Sequence, residues 1–147
     1  NDARANMDHL FMLGHSMGAE VTLYAAAALG EQLKGASIWS VYLPTVAKIS
    51  TPYPEVEVSS QFEKIYTPIN SSINSPINIH HAKGDATTPF EGSTLIASQL
   101  KQLGKTHKLY SYMSANHLFT EDNLQLAITR DIAFFRRIMR IQDVPLN

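Results

Sequence analysis

Residues 14–18 read Gly-His-Ser-Met-Gly, and their surroundings restrict the possible folds more than any other feature of the chain. A short apolar run, Leu-Phe-Met-Leu at 10–13, stops at Gly14, and an Ala-rich stretch of helical character follows Gly18 to about residue 29. The reading is strand, sharp turn, helix. In that setting G-x-S-x-G is the pattern of a nucleophile elbow, where a strained turn lifts a serine hydroxyl clear of a sheet. Side chains at positions 14 and 18 are expected to collide with neighbouring backbone as the chain reverses, hence Gly14 and Gly18. The helix that opens there directs its first amides at developing negative charge, which makes the Met17 N–H a candidate oxyanion donor. His15, beside the serine, is expected to pack or hydrogen-bond near Ser16.

The rest of the chain repeats the strand-then-helix alternation. Gly30 is a helix stop, and Gly35 precedes an apolar run at 36–43 that reads as a strand ended by Pro44. Residues 44–76 hold five of the seven prolines among many Ser, Thr and Asn, a composition expected to form a loop or cap with at most a short helix at 59–66. A buried strand is expected at 76–82, a helix at 91–103 closed by Gly104, and a strand at 108–113. The last helix, 122–141, is expected to turn Leu126, Ile128, Ile132, Phe135, Ile138 and Met139 towards the core. Strands alternating with helices predict a single α/β domain over residues 1–147, with a parallel sheet covered on both faces.

A serine hydroxyl is a weak nucleophile until a base takes its proton, and the base needs an acid to fix its tautomer. In folds built around such an elbow, acid and base follow the serine in that order, on loops past the carboxyl ends of strands. Asp85 follows the strand at 76–82, and His117 follows the strand at 108–113. Among the other five histidines, His80 and His81 fall in a buried strand, His9 and His107 precede strands at the opposite edge, and His15 is inside the elbow. Glu91, Glu121 and Asp122 sit where helix starts favour acids. A metal bound by His80, His81 and Asp85 is disfavoured, because adjacent strand residues point to opposite faces.

Charge and cysteine content narrow the function further. The formal net charge is −1 and neither sign forms a long run, so nucleic acid and membrane surfaces are not expected partners. The chain has no cysteine, which removes disulfides, thiolate metal sites and a cysteine nucleophile. No apolar run approaches the roughly 20 residues that span a bilayer. A soluble protein is expected, cytoplasmic in preference to secreted, although the lack of cysteine fits either compartment.

Three stretches together resemble the α/β-hydrolase family, in its dienelactone-hydrolase and prolyl-oligopeptidase-like branch. They are the elbow at 13–19, the acid loop His-Ala-Lys-Gly-Asp-Ala-Thr-Thr-Pro at 81–89, and the histidine loop Tyr-Met-Ser-Ala-Asn-His-Leu-Phe at 112–119. The acid loop differs from the family's H-G-x-x-D-x-x-V-P form at Ala82 and Thr88. The resemblance implies that Ser16, Asp85 and His117 form the catalytic triad, with Met17 giving one of two oxyanion amides. In the family the second amide comes from an early loop, and several strands precede the elbow. Neither is found in these 147 residues. The expected fold is therefore a truncated α/β-hydrolase, whose first strand has an unpaired edge that a missing upstream segment or a second copy would cover. Loss of the second amide alone would lower the rate by about a hundredfold or more.

These features lead to an expected carboxylesterase-type serine hydrolase acting on small-molecule esters, without cofactor or metal. A serine peptidase of the oligopeptidase-like branch is the alternative, and an inactive hydrolase-fold module is the third.

Overall fold

In the computed structural model, which describes residues 7–44, 55–113 and 116–142, four strands alternate with four helices. The order is β1 (Leu10–His15), α1 (Met17–Leu29), β2 (Leu33–Trp39), α2 (Glu55–Ser72), β3 (Ile77–Ala82), α3 (Phe90–Gln102), β4 (His107–Tyr112) and α4 (Glu121–Gln142). The strands form one parallel sheet in the sequential order β1-β2-β3-β4, with β1 at one edge and β4 at the other among the described residues. Parallel neighbours need long crossovers, and the chain supplies them through α1, α2 and α3.

Alternation along the central strands assigns the helices to faces. Ala36 and Ile38 of β2 and Ile77 and Ile79 of β3 join Ala19, Leu23, Phe62, Tyr66, Ile96 and Leu100 in one apolar core. Ser37 and Trp39 of β2 and Asn78 and His80 of β3 instead reach Asp131 of α4. Since neighbouring strand residues point to opposite faces, α1, α2 and α3 cover one side of the sheet and α4 the other. β3 is buried at all six positions, as a strand covered on both faces must be.

Four local expectations are corrected. β2 begins at Leu33 and ends at Trp39, short of the expected 36–43, because Ser40 adopts φ 45° and turns the chain out of the ladder. The stretch 44–76, expected to resist long regular structure, contains the 18-residue helix α2 with Pro68 inside it. Phe62, Tyr66, Asn70 and Ile73 recur at helical spacing and are buried, whereas Pro68 is on the solvent side, where the backbone bond it cannot make is least costly. The Tyr66 hydroxyl donates to Glu20 of α1 (2.6 Å), and Gln99 of α3 donates to Thr67 (2.6 Å), so α2 is held by its neighbours more than by its own propensity. Residues 45–54 of the expected loop lie outside the described residues.

The third correction concerns α4. Its buried face is Ala127, Asp131, Phe134 and Ile138, while Leu126, Ile128 and Ile132 of the expected core stripe are exposed. The rotation follows from Asp131, a carboxylate that collects bonds from Ser37 (2.6 Å), Trp39 (2.8 Å), Asn78 (3.0 Å) and His80 (3.0 Å). Burying it unpaired would be costly, so its four donors decide which side of the helix meets the sheet. Other exposed large apolar side chains include Leu13 on β1 and Met17, Val21 and Tyr24 on one face of α1. Among the described residues, no helix is long and apolar enough to cross a membrane.

The fourth is at the elbow. A Cβ on Gly14 would come within 2.1 Å of the Gly18 carbonyl oxygen and 2.3 Å of Thr22 Oγ1, so no side chain fits there. A Cβ on Gly18 would meet nothing within 4 Å. Only the first glycine is required by space, because it is the strand residue against which the opening turn of α1 packs.

Candidate active site

β1 delivers Ser16 to the carboxyl end of the sheet in a left-handed conformation, φ 59° and ψ −122°. Such a conformation costs a non-glycine residue on the order of 1–3 kcal/mol and persists only when its surroundings hold it. They do so through the backbone: Ser16 N–H donates to the Trp39 carbonyl (2.8 Å), and the Ser16 carbonyl accepts from Tyr42 (3.1 Å) and Ala19 (3.0 Å). Ser16 is the N-cap of α1, yet its side chain makes no capping bond. Met17 follows as the first helical residue, where an N–H has no partner within the helix.

Asp85 lies in the turn after β3, its side chain fully buried. Oδ1 accepts from the backbone N–H groups of Thr87 (2.8 Å) and Thr88 (3.0 Å), and Oδ2 accepts from Thr88 Oγ1 (2.7 Å) and His117 Nδ1 (2.7 Å). Burial pushes this carboxyl up, but the bonds from His117, Thr88 and Thr87 outweigh it and hold the pKa at about 2. Asp85 is therefore a carboxylate at neutral pH.

His117 follows β4 and is 18% exposed. With its Nδ1 proton committed to Asp85, Nε2 carries the lone pair. Its carbonyl accepts from His15 Nε2 (3.1 Å) and from Ser40 Oγ (3.1 Å), and the His15 and His117 rings are 4.5 Å apart between centroids. The elbow's own histidine thus clasps the loop bearing His117, which brings the end of β1 and the loop after β4 together across the top of the sheet. His15 is near the serine as expected, and its bond to the His117 loop is the form that contact takes.

The remaining histidines have structural partners. His80 donates through Nε2 to Asp131 and accepts from the Tyr112 hydroxyl (2.6 Å). His81, on the other face, donates through Nε2 to the Thr88 carbonyl (3.0 Å) and accepts from Ser93 (2.7 Å). Burial lowers the pKa of His81 against the raising influence of the Thr88 carbonyl and Asp85, so it stays neutral and braces the acid loop. Among the described residues no group of three or more His, Asp or Glu side chains is arranged to hold a metal ion.

Two contributors were not singled out from the sequence. Thr88, noted there only as a departure from a family valine, gives Asp85 both a hydroxyl and an amide bond. Ser40 braces the His117 carbonyl from the end of β2. The Asp-x-x-Thr spacing at 85–88, a common side-chain-to-backbone turn pattern, was the available signal for the first. Ser40 had none, since its partner is 77 residues away.

Known structures share this architecture. A protein of Klebsiella pneumoniae provisionally assigned as a dienelactone hydrolase superposes with a TM-score of 0.70 at 20% identity, over 91% of this chain and 54% of its own. Est1E from Butyrivibrio proteoclasticus gives 0.69 at 19% identity, over 88% of this chain and 61% of its own. The dipeptidyl peptidase 4 of Porphyromonas gingivalis gives 0.70 at 16%, over 90% of this chain and 20% of its own. At these identities the likeness establishes the α/β-hydrolase fold, and the chain spans between a fifth and about three-fifths of the proteins compared. A comparison with curated proteins found no match. The sequence profile described as the Dienelactone hydrolase family matches residues 2–133, nearly the whole chain, and the chain belongs to that family.

Proposed function

We propose that the chain carries the catalytic triad of a serine hydrolase that cleaves carboxylic esters through an acyl-enzyme. The observation that supports this most is the 2.7 Å bond from His117 Nδ1 to a buried, ionised Asp85, in a loop clasped by the residue next to a strained Ser16. In this reading Ser16 Oγ attacks the acyl carbonyl carbon while His117 Nε2 takes the hydroxyl proton. Asp85 stabilises the imidazolium so formed and keeps the ring in the tautomer that leaves Nε2 basic. The Met17 N–H, at the start of α1, donates to the oxyanion of the tetrahedral intermediate, and the helix dipole adds to it. His117 then returns the proton to the leaving alkoxide, and a water molecule activated by the same nitrogen releases the acid. Esters are favoured over peptides because an alkoxide leaves more readily than an amine and the described residues include no evident anchor for a peptide terminus.

The test is hydrolysis of short-chain p-nitrophenyl esters by the intact protein, by Ser16→Ala and by His117→Ala. Each substitution is expected to lower kcat/KM by at least about a thousandfold with the fold retained. A well-folded Ser16→Ala variant that keeps its activity would remove the serine mechanism.

A further inference from the structure

At the end of the sheet opposite Asp85 and His117, a cavity of about 300 Å³ opens between the first residues of β3 and β4 and the second half of α4. Because the strands are parallel, this end is separated from the catalytic loops by the strand length, roughly 16 Å for six residues. Lys108, Arg130, Arg137 and His107 all line it, and among the described residues no aspartate or glutamate does. Arg130 and Arg137 are two turns apart on α4 and so share its face, with Ala133 between them leaving the space open. Lys108 and Tyr110, two apart on β4, share a strand face.

The cations are crowded rather than neutralised. Lys108 Nζ lies 5.0 Å and Arg130 Cζ 4.5 Å from the centroid of the Tyr110 ring, which is itself stacked on His80 at 4.9 Å. The ring quadrupole attracts each cation and fixes its position, but the two positive groups repel one another. Among the described residues none of Lys108, Arg130 and Arg137 forms an ion pair. Asp131, adjacent to Arg130 in sequence, is turned into the core, where its oxygens are taken by Ser37, Trp39, Asn78 and His80. The pocket therefore concentrates positive charge on a chain whose formal net charge is −1.

We propose that this cavity binds a small phosphate-bearing anion at a site separate from the hydrolase centre. Guanidinium groups offer paired donors that match phosphate oxygens, and the lysine adds a third direction of approach. A monocarboxylate would satisfy one of these groups and leave the others repelling. A phosphate spreads up to two charges over three or more acceptor oxygens and can meet all three. The volume exceeds that of the phosphate group, so a monoester with a small organic body fits beside Phe134 and Pro76.

The experiment is calorimetric titration of the intact protein with inorganic phosphate and with phenyl phosphate, ionic strength held constant with sodium chloride. Saturable binding is expected, weakened at least tenfold in a Lys108→Gln, Arg137→Gln double variant whose ester hydrolysis and unliganded Tm stay near wild type. Should the double variant lose its fold, each single substitution, at an exposed side chain, is expected to weaken binding severalfold. Tighter binding of phenyl phosphate than phosphate identifies a monoester as the ligand class, and equal binding identifies the free anion. Heat no greater than that of added chloride, or unchanged affinity in the variants, overturns the proposal.

Discussion

Gly14→Ala and Gly18→Ala make a matched pair, since the two glycines of the elbow look alike in the motif and differ in the fold. At position 14 the added Cβ would sit 2.1 Å from the Gly18 oxygen and 2.5 Å from its carbonyl carbon, where contacts above 3 Å are the rule. Those are backbone atoms at the first turn of α1, so relief requires the helix to move by about 1 Å against a buried face that includes Ala19, Leu23 and Ala26. Overpacking of this kind costs about 1–3 kcal/mol, and with no rotatable side chain to yield, a loss at or above about 3 kcal/mol is expected. That is a large part of the roughly 5–15 kcal/mol that keeps a domain folded. Gly18→Ala meets nothing and replaces glycine in a helix, so stability is expected to be unchanged or raised by up to about 1 kcal/mol. Urea denaturation followed by circular dichroism measures both, and fluorophosphonate labelling reports whether Ser16 is still presented. A Gly14→Ala variant within about 0.5 kcal/mol of wild type would refute the account of the turn.

Three further outcomes follow from the site and its supports. Thr88→Val keeps the shape but removes the hydroxyl bond to Asp85, and is expected to cost about 1.5–3 kcal/mol and to raise the Asp85 pKa from about 2, as read by carboxyl-carbon NMR titration. The lowered pKa of Asp85 stabilises the fold fully above the ordinary value of 3.8, and that contribution is lost as pH falls through about 2. Asp85→Asn should therefore lose about 2 kcal/mol of the acid dependence of stability in that window, and equal slopes for the two proteins in urea titrations at pH 2 to 5 would contradict the assignment. Asp131→Ala leaves Ser37, Trp39, Asn78 and His80 without their shared acceptor and is expected to destabilise the protein by about 3–5 kcal/mol, measured by chemical denaturation.

Where the sequence was readable, the physics was local. The tight turn at 14–18 announces itself because a strand cannot reverse into a helix that closely without a residue lacking Cβ, and Gly14 shows that constraint in full. Gly30 and Gly104, with φ of 55° and 68°, mark helix ends for the same backbone reason. The uncharged run Ile-Asn-Ile-His-His-Ala at 77–82, bounded by Pro76 and Gly84, signals a buried strand, and the placement of Asp85 and His117 just past strand ends follows from chain order. Asp85 and His117 do meet, at 2.7 Å.

What the sequence alone determined was the alternation of elements, the parallel sheet and the positions along the chain where polar residues reach its carboxyl end, because each depends on neighbours within a few residues. Only the tertiary structure decided the rotation of α4 about Asp131, the survival of α2 around Pro68, and the bracing of the site by Ser40 and Thr88. In each case the deciding bond or contact joins residues on different elements. A helix face chosen by counting apolar side chains loses to one buried carboxylate with four donors, since leaving that charge unpaired costs more than exposing Ile128 and Ile132 to water.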